Sequence, residues 1–255
     1  MSMRLDRRTF LKHSGILGTT LAMGGAVSAA GNGALQAGVA AVDISPKKLP
    51  VICNGGFLEA TANRINDPLH ARAVVLDDGS TRLALAVVDV CILETGLCNR
   101  VRKEAAKKTG IPFENIVLSA THTHSAGSVL AALGSRRDEA YYAQIEPQLV
   151  EVIAKATSRM QPAQVGWGAA EDFEDTHCRV WIRRGDRIGA DPFGEPTIRA
   201  MMHPGHQNPD YIGPCGPVDP ALTLLSVQTK DGKPLAVVAN YSMHYFGVAP
   251  ISADY

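Results

Sequence analysis

The chain reads as an α/β or α+β protein: a mixed β-sheet core with flanking helices. Two hairpin signatures, two helical stretches between them and one short apolar strand carry that reading. Strands and helices interleave along the sequence, the pattern by which a sheet acquires helical cover.

The elements follow in order. Residues 73–90 (AVVLDDGSTRLALAVVDV) form the first hairpin, turning at Asp78-Gly79. Asp-Gly between apolar β-branched runs is a strong hairpin signal. Residues 95–109 are helical, with Leu97, Val101 and Ala105 spaced four apart on one face. Basic residues crowd the end of that helix, and Gly110 suits the first position beyond it. Residues 116–120 (IVLSA) make a short apolar strand. Residues 138–160 place Tyr142, Ile145, Leu149 and Ile153 on one helical stripe. Pro147 falls inside that stripe, so a kink or two abutting helices is expected. Residues 186–220 are rich in Gly and Pro and read as a long loop, functional or mobile. Residues 222–241 form the second hairpin, turning at Asp231-Gly232. Both hairpins continue from their DG turn into Leu-Ala and paired valines, either a pseudo-repeat or the coincidence of two similar hairpins.

Composition narrows the function classes. The 255 residues are 45% hydrophobic and 20% charged, which is globular rather than disordered. Twenty-five basic residues balance 25 acidic ones, so the chain has no electrostatic footprint for nucleic acid. Five cysteines (53, 91, 98, 178, 215) lack CxxC spacing. An odd, unpatterned set argues against a disulfide framework and against a cysteine zinc site. No phosphate loop, HExxH or nucleophile-elbow serine motif is present.

The N-terminus reads as an export signal over residues 1–30. DRRTFLK at 6–12 carries paired arginines in the manner of a twin-arginine signal. The weakly apolar stretch 15–27 is shorter than the roughly 20 residues a membrane span needs, and it breaks into Ser28-Ala29-Ala30, suited to cleavage. The expected mature chain, 31–255, is therefore periplasmic or extracellular, with no stable transmembrane span. It stops at Ser252-Ala253-Asp254-Tyr255, just past a buried-looking strand, so a longer polypeptide is expected.

Chemistry concentrates at 115–125, NIVLSATHTHS. An extended strand points residues i and i+2 the same way, which would set His122 and His124 side by side at the strand's end. Neutral imidazole is a common zinc ligand; a merely polar strand end is the alternative.

At these residues the sequence resembles the catalytic N-terminal domain of the neutral/alkaline (non-lysosomal) ceramidases. The matching segments, in the family's order, are AGVAAVDISP (37–46), RINDPLHARAVVLDDG (64–79), ENIVLSATHTHSAG (114–127), GPVDPALTLLSVQTKDGKPLAVVANYSMH (216–244) and ISADY (251–255). The resemblance implies a zinc-dependent amidohydrolase that cleaves an N-acyl bond, with a ceramide-like sphingolipid as the leading substrate. A lipid substrate would bring peripheral contact with a membrane. His122 and His244 would hold zinc; His124 and Arg179 would face the substrate as catalytic groups. Around Arg179 the sequence departs from the family pattern, with His177-Cys178 before it and Val180 after. The family's other zinc ligands, a Glu and a Tyr, and its serine-bearing segment would follow residue 255, so 31–255 is read as an incomplete catalytic domain. The alternatives are a metal-dependent hydrolase of another ester or amide, and a non-catalytic binding module.

The remaining candidates are weighed against plainer readings. His203 and His206 are read as solvated loop histidines rather than ligands. His70 is read as structural, or as a support behind a ligand. His177 could line a cleft near Arg179. Asp89 is either a carboxylate supporting a ligand or a capped or surface residue.

Overall fold

The computed structural model describes residues 35–202, 204–205, 207–244 and 251–252. The expected export signal, His203 and His206 lie outside them. Of the described residues, 35–167, 225–238 and 251–252 form one compact unit, and 168–224 with 239–244 form another.

The first unit is organised by the sheet. Strand β1 (Gln36–Asp43) pairs antiparallel with β4 (His70–Asp77), which pairs antiparallel with β5 (Arg82–Val88). The short strands β2 (Val51–Cys53) and β3 (Ala60–Ala62) form a separate ribbon. Helix α1 (Thr95–Thr109) carries the chain from β5 to β6 (Ile116–Ala120), and β5 and β6 run parallel. Helix α2 (Glu139–Ser158) leads to β7 (Gln161–Glu171), and β11 (Ala221–Thr229) and β12 (Pro234–Tyr241) return as a hairpin. The seven strands are ordered β12-β11-β7-β1-β4-β5-β6. The sheet is mixed, as the sequence predicts.

Side-chain alternation decides which face is covered. Ala71, Ala73 and Val75 of β4, Ala84, Ala86 and Val88 of β5 and Ile116 of β6 are buried in the core that also takes in both helices. Residues between them face the other side of the sheet, where Val74 and Leu76 pack against a smaller cluster of Ala37, Ala163 and Val227 while Leu83 and Val117 are exposed. Helix α1 buries Leu97, Val101 and Ala105, the predicted stripe, and Gly110 ends it with φ 74°. Fully burying one leucine of this kind is worth about 1.5–3 kcal/mol. Where α2 crosses β1 the backbones approach closely. A Cβ on Gly38 would fall 2.0 Å from the Ala156 carbonyl oxygen, so only glycine fits there.

Helix α2 corrects the predicted stripe in one place. Tyr141, not Tyr142, is buried, together with Ile145, Leu149, Val152, Ile153 and Ala156. Tyr142 lies at the edge of the core, where its hydroxyl donates to Glu94 (2.6 Å). Residues i, i+4, i+8 and i+11 share the face, so Tyr141 joins the stripe at Ile145−4. Pro147 is carried inside one continuous helix rather than dividing two.

The predicted long loop is partly ordered. In the second unit, β8 (Val180–Arg183) pairs antiparallel with both β9 (Ala200–Met202) and β10 (Tyr211–Pro214), giving a three-stranded sheet. Strands of three or four residues are too short for an alternation pattern to stand out among glycines and prolines.

Candidate metal centre

The two loops that build the site leave the carboxyl ends of β5 and β6, which are parallel neighbours. This end of a parallel strand pair is where α/β folds place ligands. The ladder continues a short way into the loops: Thr121 N–H donates to Val88 O (2.9 Å), and His122 N–H donates to Val90 O (3.1 Å).

The alternation expected for His122 and His124 does not extend to them. The strand ends at Ala120, and His122 adopts φ 65°, in the left-handed region. The imidazoles meet nonetheless, by a different geometry. Their Nε2 atoms are 3.2 Å apart, and the rings are nearly perpendicular, at 81°, with centroids 4.8 Å apart. A strained φ at a bulky residue costs on the order of 1–3 kcal/mol and clusters at functional sites.

The tautomer of His122 follows from its partner. Nδ1 lies 2.8 Å from the Cys91 carbonyl oxygen. A carbonyl only accepts, so Nδ1 carries the proton, and the neutral ring presents a lone pair at Nε2. Metal-ligating histidines are oriented in this way. The His124 Nε2 atom, 3.2 Å away, stands beside that lone pair.

Cys91 completes a metal-capable group with these histidines, all three ligand atoms lying within 4.8 Å of one another. Its sulfur, however, is at the wrong edge of the ring: Sγ lies 3.7 Å from His122 Nδ1, whereas the two imidazoles meet at Nε2. Burial also pushes the Cys91 thiol up to about 11. The residue serves the site through its carbonyl.

Two neighbouring segments hold the loop. Gly55, with φ 117°, lies against His124: a Cβ there would come 2.6 Å from Cγ of the ring. Ile251 and Ser252 brace the other side. Ser252 N–H donates to Ser125 O (3.0 Å), and its hydroxyl donates to Asp67 Oδ2 (2.8 Å). Thr123, fully buried, accepts from Ser125 N–H (3.2 Å). The ISADY, NDP and THTHS segments are therefore linked physically, at least through these residues.

Asp89 is not the surface residue that one of its two readings expected. Its side chain is fully buried and accepts from Arg72 (2.8 Å) and from His70 N–H (2.8 Å). His70 lies beside it in β4, its Nδ1 buried without a hydrogen-bond partner among the described residues.

The remaining predicted site residues belong to the second unit. His244 is half-buried just after β12, and Arg179 is exposed just before β8, with His177 exposed beside it. Of the predicted set, the first unit brings together His122 and His124. Gly55 and Cys91 were not anticipated from sequence. NGG at 54–56 offered a faint signal as a glycine pair in a loop, whereas a backbone carbonyl leaves none.

No family model and no curated protein matches the chain. Solved structures do. Neutral ceramidase from Pseudomonas aeruginosa matches with a TM-score of 0.56 and 20% identity, over 81% of this chain and 31% of that one. A ceramidase complexed with C2 matches with a TM-score of 0.56 and 21% identity, over 81% of this chain and 30% of that one. The chain thus spans about a third of the length of these ceramidases, and over that part it shares their fold.

Proposed function

We propose that the chain carries part of the active site of a zinc-dependent amidohydrolase that cleaves an N-acyl bond, with a ceramide-like sphingolipid as substrate. One observation carries the reading: His122 and His124 present Nε2 to one another at 3.2 Å, with His122 Nδ1 tied to a carbonyl. The shared fold with neutral ceramidases supports it.

In this reading His122 and His244 hold the metal. When bound, zinc polarises the amide carbonyl and lowers the pKa of its water to about 7. Cys91 O fixes the His122 tautomer. In the same reading His124 donates to the carbonyl oxygen as negative charge develops, and Arg179 adds a second donor. The N-terminal signal places the enzyme in the periplasm or outside the cell, and a lipid substrate draws it to a membrane surface.

The test is turnover of a fluorescent short-chain ceramide by the natural polypeptide, with and without chelator, alongside zinc analysis. His122→Ala and His244→Ala should each lower zinc content. His124→Ala should lower turnover more than zinc content. Chelator-insensitive turnover would refute the zinc mechanism. Zinc bound through His122 without ceramide cleavage would shift the assignment to another amide or ester. Retention of zinc by His244→Ala would remove that residue from the centre.

A further inference from the structure

Cys178 and Cys215 are 37 positions apart in the sequence but converge in the second unit. Cys215 follows β10, where Pro214 is paired with Trp181 of β8, and its N–H donates to Val180 O at 2.9 Å. Cys178 reaches the same carbonyl: its Sγ donates to Val180 O at 3.3 Å. One oxygen therefore receives the backbone of one cysteine and the thiol of the other. The Cys178 carbonyl in turn accepts from the Trp181 indole at 2.9 Å, which pins the segment in place. All five cysteines are thiols in this structure; Cys215 is exposed and Cys178 half-buried.

We propose that Cys178 and Cys215 form a redox-active pair that closes to a disulfide, clasping the segment that carries Arg179 to the end of β10. The chemistry needs an external oxidant, a small-molecule disulfide such as oxidised glutathione. The Cys178 thiolate attacks one sulfur of the oxidant and expels one glutathione thiolate, giving a mixed disulfide. The Cys215 thiolate then attacks Cys178 Sγ and expels the second. Two thiols and one disulfide become one protein disulfide and two small thiols; the two protein-derived protons go to the leaving thiolates.

The surroundings favour Cys178 as the attacking sulfur. The backbone of Val180, then those of Gly216 and Cys215 and the Cys215 thiol, hold its pKa below that of an ordinary thiol. Burial instead raises Cys53, to about 11, and Cys98, which makes them slow competitors. The scattered spacing of the five cysteines hides this pair, because only the β8–β10 register brings the two together. The export signal read at the N-terminus would deliver the protein to a compartment where such a bond persists.

The experiment is oxidation of the purified protein with oxidised glutathione, followed by thiol titration in denaturant and non-reducing peptide mapping. The titre should fall from five thiols to three, with one crosslinked peptide joining Cys178 to Cys215 and released by dithiothreitol. Cys178→Ser and Cys215→Ser should each abolish the crosslink and leave a glutathione adduct on the surviving partner. Separate adducts on both cysteines of the unsubstituted protein, a crosslink to any other cysteine, or an unchanged titre of five would overturn the proposal. The unsubstituted protein decides the matter even if neither variant folds.

Discussion

Gly55→Ala tests the geometry of the histidine pair without touching either histidine. The backbone at Gly55 has φ 117°, which an alanine adopts only with strain, and the new Cβ would stand 2.6 Å from His124 Cγ, 2.8 Å from Nδ1 and 2.9 Å from Cβ. Carbon atoms settle at about 3.5–4.0 Å, so the ring must retreat by about 1 Å. The strain adds on the order of 1–3 kcal/mol. A misplacement of about 1 Å in a catalytic group costs on the order of a hundredfold in rate. The expected outcome is a modestly destabilised protein with lower turnover, on the order of a hundredfold, and the Nε2–Nε2 contact broken. Histidine NMR would show His124 moved while His122 keeps its Nδ1 proton. Wild-type stability and an unmoved His124 resonance in Gly55→Ala would refute the reasoning.

Other substitutions probe the support. Asp89→Ala removes a buried carboxylate that holds Arg72 and the His70 N–H; urea unfolding should show a loss of about 2–4 kcal/mol, and a loss below 0.5 kcal/mol would contradict the structural role. The Tyr141 hydroxyl is buried without a hydrogen-bond partner among the described residues, so Tyr141→Phe should be neutral or stabilising by about 1 kcal/mol, and clear destabilisation would point to an unseen partner. The hydrogen bond to Asp172 raises the Tyr241 phenol to about 12. Because the folded pKa lies above the unfolded value of about 10, this contribution is complete below pH 10 and lost as pH rises through 12. Burial raises Tyr141 and Tyr142 as well, so spectrophotometric titration should show several late tyrosines, of which Tyr241→Phe removes the one near 12. Glu59 shows the opposite sign: hydrogen bonds from the Arg136 side chain hold it down to about 2. The stability it lends is present above its unfolded pKa of about 4.3 and lost as pH falls through 2, so Glu59→Gln should flatten the acid limb of the unfolding profile.

The parts of the fold read correctly from sequence share a cause. Leu97, Val101 and Ala105 repeat at the helical period, and Asp78-Gly79 and Asp231-Gly232 supply a turn that glycine adopts readily, with φ 89° and 84° at the two glycines. These are local rules, written in neighbouring residues. The exchange of Tyr142 for Tyr141 shows their limit: adjacent tyrosines fit almost the same stripe, and packing against the sheet chooses between them. Strands β9 and β10 were hidden because three or four residues carry no usable period.

The site divides in the same way. The sequence alone marked His122 and His124 as candidate ligands, with a merely polar strand end as the alternative, since two imidazoles one residue apart after an apolar strand are a local pattern. It could not supply their geometry. The left-handed turn at His122, the Cys91 carbonyl that sets its tautomer, the space that Gly55 leaves for His124, and the meeting of Cys178 with Cys215 all depend on segments distant in the chain. Hydrogen bonds and steric exclusion act over a few ångströms of space, and only folding decides which residues those few ångströms contain.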